Sequence, residues 1–316
     1  MVTWGLLSTA RINDAVLAGA ALSDRVRVGA VASRDQGRAE AYARERGIER
    51  AYGSYEALLA DPEIEAVYIP LPNSLHVEWS IRALEAGKHV LCEKPFDRRP
   101  DRVEEAFDAA ERADRLLMEG FMWRHHPQTK RLVELVDQGA IGDLRLVRSA
   151  MSFPLTTLAD VRMRPELDGG ALMDVGCYCI SMSRLLAGEP ESVSGRQVIG
   201  STGVDVRFAA TLVFPGDVLA QFDCGMDLAM RGELEAIGSE GMIRVPDPIS
   251  IERPGIELRR DGSVERIEIE QADRYQLELE NFGDAIRGRG DPLLGREDAV
   301  GQARVIDMLY AAAERS

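Results

Sequence analysis

Lysine is scarce in this chain: Lys88, Lys94 and Lys130 are the three among 38 basic residues. Lys94 follows the short apolar run His89–Cys92 in the sequence Glu93-Lys94-Pro95. That is the carboxyl end of an expected strand, where open α/β sheets bind their ligands, and Pro95 restricts the backbone beyond it. A chain that otherwise chooses arginine but keeps lysine here points to a need for a compact ammonium. A salt-bridged lysine fits the same spacing. A second group lies in Asp168-Gly-Gly-Ala-Leu-Met-Asp-Val-Gly-Cys-Tyr178, where Asp174 and Tyr178 fall on one face of a helix. Such a pair can exchange a proton with a hydroxyl or form a structural hydrogen bond. Between the two groups, Met118–Pro127 gathers Phe121, Trp123, Arg124 and the pair His125-His126. It reads either as the mouth of a crevice or as a packed strand-to-helix connection.

The elements that must position these residues follow from apolar periodicity. Apolar runs at Val2–Leu7, Val26–Ala32, Ala66–Leu71, His89–Cys92 and Leu116–Phe121 alternate with segments of helical period. Runs apolar throughout suit parallel strands covered on both faces, so this part predicts repeated βαβ units in a doubly wound, Rossmann-like sheet. After about residue 140 the texture changes. Leu144–Phe153, Val193–Ile199, Asp205–Phe214, Val218–Cys224 and Val264–Ile269 alternate with strand period. Helices are expected at Gly170–Leu186 and Arg296–Glu314. The fold class is therefore α/β, with an N-terminal parallel sheet over 1–122 and a C-terminal α+β domain over 123–316. The second sheet should be large, open and mostly antiparallel. One uncovered sheet face makes self-association through this domain the expectation.

The turn after the first apolar run reads Ser8-Thr9-Ala10-Arg11-Ile12-Asn13. A dinucleotide fingerprint would place glycines at positions 8, 10 and 13, and small residues there still admit a pyrophosphate to a helix N-terminus. An ordinary tight turn fits equally. The second run ends in Ser33-Arg34, with Arg38 one helical turn on and Asp35 past the place of a ribose-binding carboxylate. If a nucleotide binds, a hydroxyl and two arginines suit a 2′-phosphate, which favours NADP over NAD.

Composition narrows the classes further. A formal charge of −15 with scattered basic residues argues against nucleic acid. No stretch approaches the apolar length of a membrane span, and the N-terminal segment lacks a signal-peptide pattern, so the cytoplasm is expected. Cys92, Cys177, Cys179 and Cys224 form no CxxC pair, and with four histidines a metal site is not expected.

The chain resembles the Gfo/Idh/MocA family of glucose–fructose oxidoreductase and inositol dehydrogenase. The resemblance runs over the whole length and rests on the Ser8–Asn13 turn, Leu71-Pro-Asn-Ser-Leu-His76, Glu93-Lys94-Pro95, Phe121–Pro127, Gly169–Tyr178 and Asp298–Asp307. It implies a Rossmann domain joined to an open-sheet domain through which members form homodimers or homotetramers. Many members carry histidine four residues after the helix aspartate. Tyr178 instead makes this chain similar to the dihydrodiol dehydrogenase, D-xylose dehydrogenase and sugar 3-ketoreductase branch, in which the tyrosine is the acid/base.

The resemblance implies NADP(H)-dependent hydride exchange with a sugar, polyol or diol. Lys94, Tyr178 and Asp174 would be catalytic. Lys94 would favour the phenolate of Tyr178, because an adjacent ammonium lowers a phenol's pKa from about 10, and Asp174 would orient substrate hydroxyls. Ser8, Thr9, Ala10, Arg11, Ile12, Ser33, Arg34, Arg38, Leu71, Pro72, Asn73, His76, Glu93, Trp123 and Arg124 would serve the cofactor. Phe121 and Phe153 would join Lys94, Asp174 and Tyr178 at the substrate. The alternatives are a keto-sugar reductase, an NAD-dependent glycosidase and a non-catalytic NADP-binding regulator.

Overall fold

The structure, a computed structural model, describes residues 1–315. It divides into two compact units, 1–125 with 273–300, and 126–272 with 301–316. The first boundary falls three residues after the one expected. The larger difference is that 273–300 belongs with the first unit, whereas the sequence reading gave it to the second domain.

In the first unit, strands β1 (Val2–Leu7), β2 (Val26–Ala32), β3 (Arg50–Tyr52), β4 (Ala66–Ile69), β5 (His89–Glu93) and β6 (Leu117–Gly120) form one sheet. All pairings are parallel, in the order β3-β2-β1-β4-β5-β6. That order is the Rossmann arrangement, and its reversal between β1 and β4 marks where a dinucleotide binds. The strands are apolar throughout because helices cover both faces: Leu6, Val31, Val67, Ile69 and Leu91 are all fully buried. The helices are α1 (Asn13–Ala21), α2 (Gln36–Arg46), α3 (Tyr55–Leu59), α4 (His76–Glu85) and α5 (Pro100–Ala113).

Helix α8 (Arg274–Ile286) completes this unit and was not expected from the sequence. Asp273 caps it, its carboxylate accepting from Tyr275 N and Gln276 N at 2.9 and 2.8 Å. Tyr275, Glu278, Leu279 and Phe282 form its buried face, with Phe282 5.8 Å from the Trp4 ring. A glutamate in the middle of the apolar stripe conceals the period.

In the second unit, β7 (Leu144–Pro154), β8 (Ser192–Ile199), β9 (Asp205–Phe214), β10 (Val218–Gly225), β11 (Asp227–Gly238), β12 (Gly241–Val245), β13 (Gly255–Arg260) and β14 (Ser263–Glu268) form an eight-stranded sheet. Only β7 and β10 run parallel; every other pairing is antiparallel. Helices α6 (Pro127–Asp137) and α7 (Cys177–Ala187) belong to this unit, and α9 (Arg296–Glu314) enters it from residue 301. Strand alternation puts Leu212, Phe214, Phe222, Leu234 and Ile243 on the buried face. The opposite face carries Arg148, Arg207, Gln221, Asp223, Glu233 and Glu235, with ion pairs Arg231–Asp223 and Arg207–Asp227. The uncovered face therefore carries many charges, with Leu219 exposed among them.

Candidate functional site

The first unit presents its chemistry at the carboxyl ends of its strands. After β1, Ser8 adopts φ 152°, a backbone conformation that glycine favours. The turn thus keeps the glycine conformation without the glycine. Asn13, fully buried, donates from Nδ2 to Ser8 O at 2.8 Å, and Ser8 Oγ accepts from Ala10 N at 3.2 Å. Ser8 Oγ also donates to Pro70 O at 3.5 Å, which brings the β1 and β4 loops together at the order reversal. Thr9, Ala10, Arg11 and Ile12 lead into α1, which has no side-chain cap. Its N-terminal dipole is available to an anion.

At the end of β2, Ser33 is buried, and Arg34 and Arg38 are exposed. Both arginines lack a carboxylate partner among the described residues, although acids outnumber bases 53 to 38. The nearest acid is committed elsewhere: Asp35 caps α2, its Oδ1 accepting from Arg38 N at 2.7 Å. A paired cation would have been spent, and a free Asp35 would repel phosphate. These residues fit the 2′-phosphate of NADP and the Ser8–Ile12 turn fits its pyrophosphate.

Along β4 and β5 the expected ligand contacts divide. Leu71 is buried, and Pro72 and Asn73 are half-buried. His76 is 1% exposed, with Nδ1 2.9 Å from Pro95 O and Nε2 2.8 Å from Leu71 O. Burial, against the pull of both carbonyls, pushes its pKa down to about 4. His76 thus ties two loops together, each ring nitrogen lying beside a main-chain carbonyl, of which a neutral ring can donate to one. Glu93 accepts from the Tyr68 hydroxyl at 2.5 Å. Lys88 is buried, and its ammonium donates to Asp61 O and Ile64 O at 2.7 and 2.8 Å. Lys130 is exposed on α6. Of the three lysines, only Lys94 stands half-buried at a strand end. Phe121 and Trp123 are buried, at 0% and 1%. Arg124 pairs with Asp298 at 3.6 Å, an acid that sequence reasoning did not connect to it.

In the second unit, a double glycine admits a carboxylate into the start of the helix. Gly170 has φ +132°, and a Cβ on it would lie 2.1 Å from Asp205 Oδ1. One on Gly169 would lie 2.2 Å from Arg162 O. Asp205, at the start of β9, accepts from Leu172 N at 2.7 Å and from the Tyr310 hydroxyl at 3.0 Å. The helix then opens with a π turn, Leu172–Gly176, before α7. Asp174 lies in that turn and Tyr178 in the first turn of α7. Tyr178 is buried and Asp174 half-buried. A π turn adds one residue to the local ring, and such turns are frequent at functional sites.

Asp174 is held by a residue the sequence reading did not single out. Arg162 Nε is 2.8 Å from Asp174 Oδ2, and its Nη1 is 3.3 Å from Asp160 Oδ1. The guanidinium lies 5.8 Å from the centre of the Phe153 ring. Arg162 is therefore the clamp that orients Asp174. Arg162→Ala should lower kcat/KM for the substrate about tenfold with NADP affinity unchanged, the scale of one charge-assisted hydrogen bond. Steady-state kinetics with varied substrate checks this.

Burial pushes the Asp205 carboxyl up to about 6, against the lowering effect of the Leu172 N–H. Its folded pKa is raised above the unfolded value, so its contribution to stability falls as pH rises from about 4 to about 6. Asp205→Asn keeps an acceptor for Leu172 and removes the charge. The stability difference between variant and wild type should then rise in the variant's favour by up to about 3 kcal/mol from pH 4 to pH 7. Denaturant melts of both proteins at each pH measure it, since titrations common to both, His76 included, cancel in the difference.

The family model described as "Oxidoreductase family, NAD-binding Rossmann fold" matches residues 5–121. The model "GFO/IDH/MocA C-terminal domain" matches residues 129–244. The chain is 38% identical to D-xylose 1-dehydrogenase (NADP(+)) 2 of Haloferax volcanii over 98% of its length and 97% of that protein's. It is 36% identical to trans-1,2-dihydrobenzene-1,2-diol dehydrogenase of Xenopus laevis, covering 82% of this chain and 80% of the relative. A crystal structure of a 3-ketoreductase from Actinomadura kijaniata, in complex with NADP and TDP-benzene, superposes with a TM-score of 0.91 at 31% identity, over 98% and 97% of the two chains.

Proposed function

The chain belongs to the GFO/IDH/MocA family of oxidoreductases, and from that premise we propose that it exchanges a hydride between NADP(H) and a carbon of a sugar, polyol or diol. The observation that carries this reading is the presence of Lys94, Asp174 and Tyr178 in a chain similar over 98% of its length to an NADP-dependent D-xylose dehydrogenase. The Ser8–Ile12 turn, Ser33, Arg34 and Arg38 would hold the cofactor, with Leu71–Asn73 and Glu93 beside it. When bound, NADP(H) accepts or supplies the hydride.

The protein's own residues handle the proton and the substrate. Tyr178 exchanges the proton of the reacting oxygen, and Lys94 supplies a positive charge that favours the phenolate and the developing alkoxide. Asp174, fixed by Arg162, accepts hydrogen bonds from neighbouring hydroxyls. Lys94 and Tyr178 come from different units, and the proposal is that both serve one proton transfer.

An absorbance screen at the NADPH band tests the reading, run in both directions over aldoses, keto-sugars, inositols and diols. Turnover of an aldose or diol with NADP supports a dehydrogenase, and turnover of a keto-sugar with NADPH a reductase. The full-length likeness to a 3-ketoreductase favours including the second direction. Bound NADPH with no turnover on any of these classes would overturn the proposal in favour of a regulator. Release of a sugar from a glycoside without net NADPH change would make it a glycosidase.

Self-association through the charged face of the eight-stranded sheet belongs to the same proposal. Arg148 beside Glu233 and Glu235 suits pairing of two copies across a twofold axis. Among the described residues no helix is long and apolar enough to cross a membrane. Four free, buried cysteines fit a reducing compartment, so we assign the reaction to the cytoplasm.

A further inference from the structure

The helix that carries Tyr178 is tied to α9 at its first residue, Cys177. Gln302, on α9, is 1% exposed, in a stretch whose Ala303, Val305 and Ile306 are also buried. A polar side chain at such a position costs stability unless both ends of its amide are bonded. Both are: Nε2 donates to Cys177 O at 2.8 Å, and Oε1 accepts from Arg184 Nη1 at 3.2 Å. An arginine can only donate, so it takes the amide oxygen and leaves the NH2 group for the carbonyl. Arg184 is itself buried and tied to Glu189, its Nε donating to Oε1 at 3.0 Å. Gly301 makes the room, since a Cβ there would lie 2.1 Å from Arg184 Nη2 and 2.8 Å from Glu189 Oε1. Every member of this chain of bonds lies in the second unit.

We propose that Gln302 is a positioning residue of the reaction, fixing the peptide unit from which Tyr178 springs so that the phenol meets the reacting oxygen in one orientation. Cys177 O and Tyr178 N belong to one planar unit, so a bond to that oxygen sets the plane next to the Tyr178 Cα. The π turn Leu172–Gly176 ends immediately before Cys177, so the regular α-helix begins only at the residue Gln302 holds. At the other end of the π turn, Asp205 accepts from Leu172 N and from the hydroxyl of Tyr310, also on α9. Residues of α9 thus hold the irregular segment at both ends, Tyr310 through Asp205 and Gln302 directly beside Tyr178. Proton transfer depends on close placement of donor and acceptor, and a displacement of about 1 Å can cost roughly 10²-fold in rate. Gln302 does for Tyr178 what Arg162 does for Asp174. This inference rests on the reading that Tyr178 exchanges the proton.

The test uses the full chain with the best substrate of the screen at pH 8, measuring kcat, KM, NADPH affinity by fluorescence, and thermal melting. Gln302→Met removes both amide bonds at similar volume. Gln302→Glu keeps an acceptor for Arg184, and its carboxylate, ionised beside that guanidinium, has no hydrogen to give Cys177 O. Each should lower kcat about tenfold, with KM and NADPH affinity within about threefold of wild type. In a Tyr178→Phe background the same substitutions should change the residual rate by less than about threefold, because Gln302 acts through the phenol. A folded Gln302→Met or Gln302→Glu with wild-type kcat overturns the proposal, so either variant decides it if the other fails to fold. A loss repeated in full in the Tyr178→Phe background, or equal losses of kcat and NADPH affinity, also overturns it. Tyr178→Phe alone separates the two failures: full activity there removes the reading beneath the proposal, and lost activity there leaves Gln302 to be judged by its own cycle.

Discussion

Lys94→Ala and Tyr178→Phe should each lower turnover by roughly 10²–10⁴-fold, the range expected when a group leaves a proton transfer. A phenol titrates near 10, so at neutral pH it needs a cation to act as a base. Loss of either partner removes most of what both achieve, and the double variant should therefore fall little below the weaker single one. The checks are steady-state rates at the NADPH band with NADPH binding followed by fluorescence. Near wild-type turnover in a single variant that still binds NADPH would remove that residue from the mechanism. Full additivity in the double variant would mean that the two residues serve separate steps. Lys130→Ala, exposed on α6, is the control for loss of a lysine, and no change is expected there.

Replacing Arg34 and Arg38 together by alanine should weaken NADP binding by roughly 10²-fold or more, since each charge-assisted hydrogen bond to phosphate contributes on the order of 1.5–3 kcal/mol. NAD, which lacks the 2′-phosphate, should bind about as before. The two arginines have no carboxylate partner to release, so no compensating interaction is formed in their absence. Asp35 is held at the α2 cap and would not turn to the ribose without freeing the N–H of Arg38. Titration of each cofactor against wild type and variant decides it. Equal losses for NADP and NAD would sink the 2′-phosphate assignment.

The parallel sheet was legible because strands covered on both faces are apolar throughout, as Val67 and Leu91 are. The helix that begins at the double glycine and the last helix were legible by period. Helix α8 was not, because Glu278 breaks its stripe, and its return to the first unit moved a whole segment across the expected domain division. Strands β11 to β13 were not singled out either: β11 runs through Asp227, Arg231, Glu233 and Glu235, charges that belong to an exposed sheet face. His76 carried a motif-like signal, yet the structure sets both its nitrogens beside main-chain carbonyls.

Residue type and short spacing determined Lys94 at a strand end, Asp174 and Tyr178 one turn apart, and the arginines after β2, because each depends on a stretch of chain no longer than one helical turn or one strand. The tertiary structure decided what holds them. Asp205 reaches the helix start from 33 residues away, Arg162 comes from the preceding loop to Asp174, and Asp298 reaches Arg124 from near the end of the chain. Ionic and hydrogen-bonded partners are chosen by proximity in space, and local periodicity carries no record of which distant carboxylate folding will bring alongside.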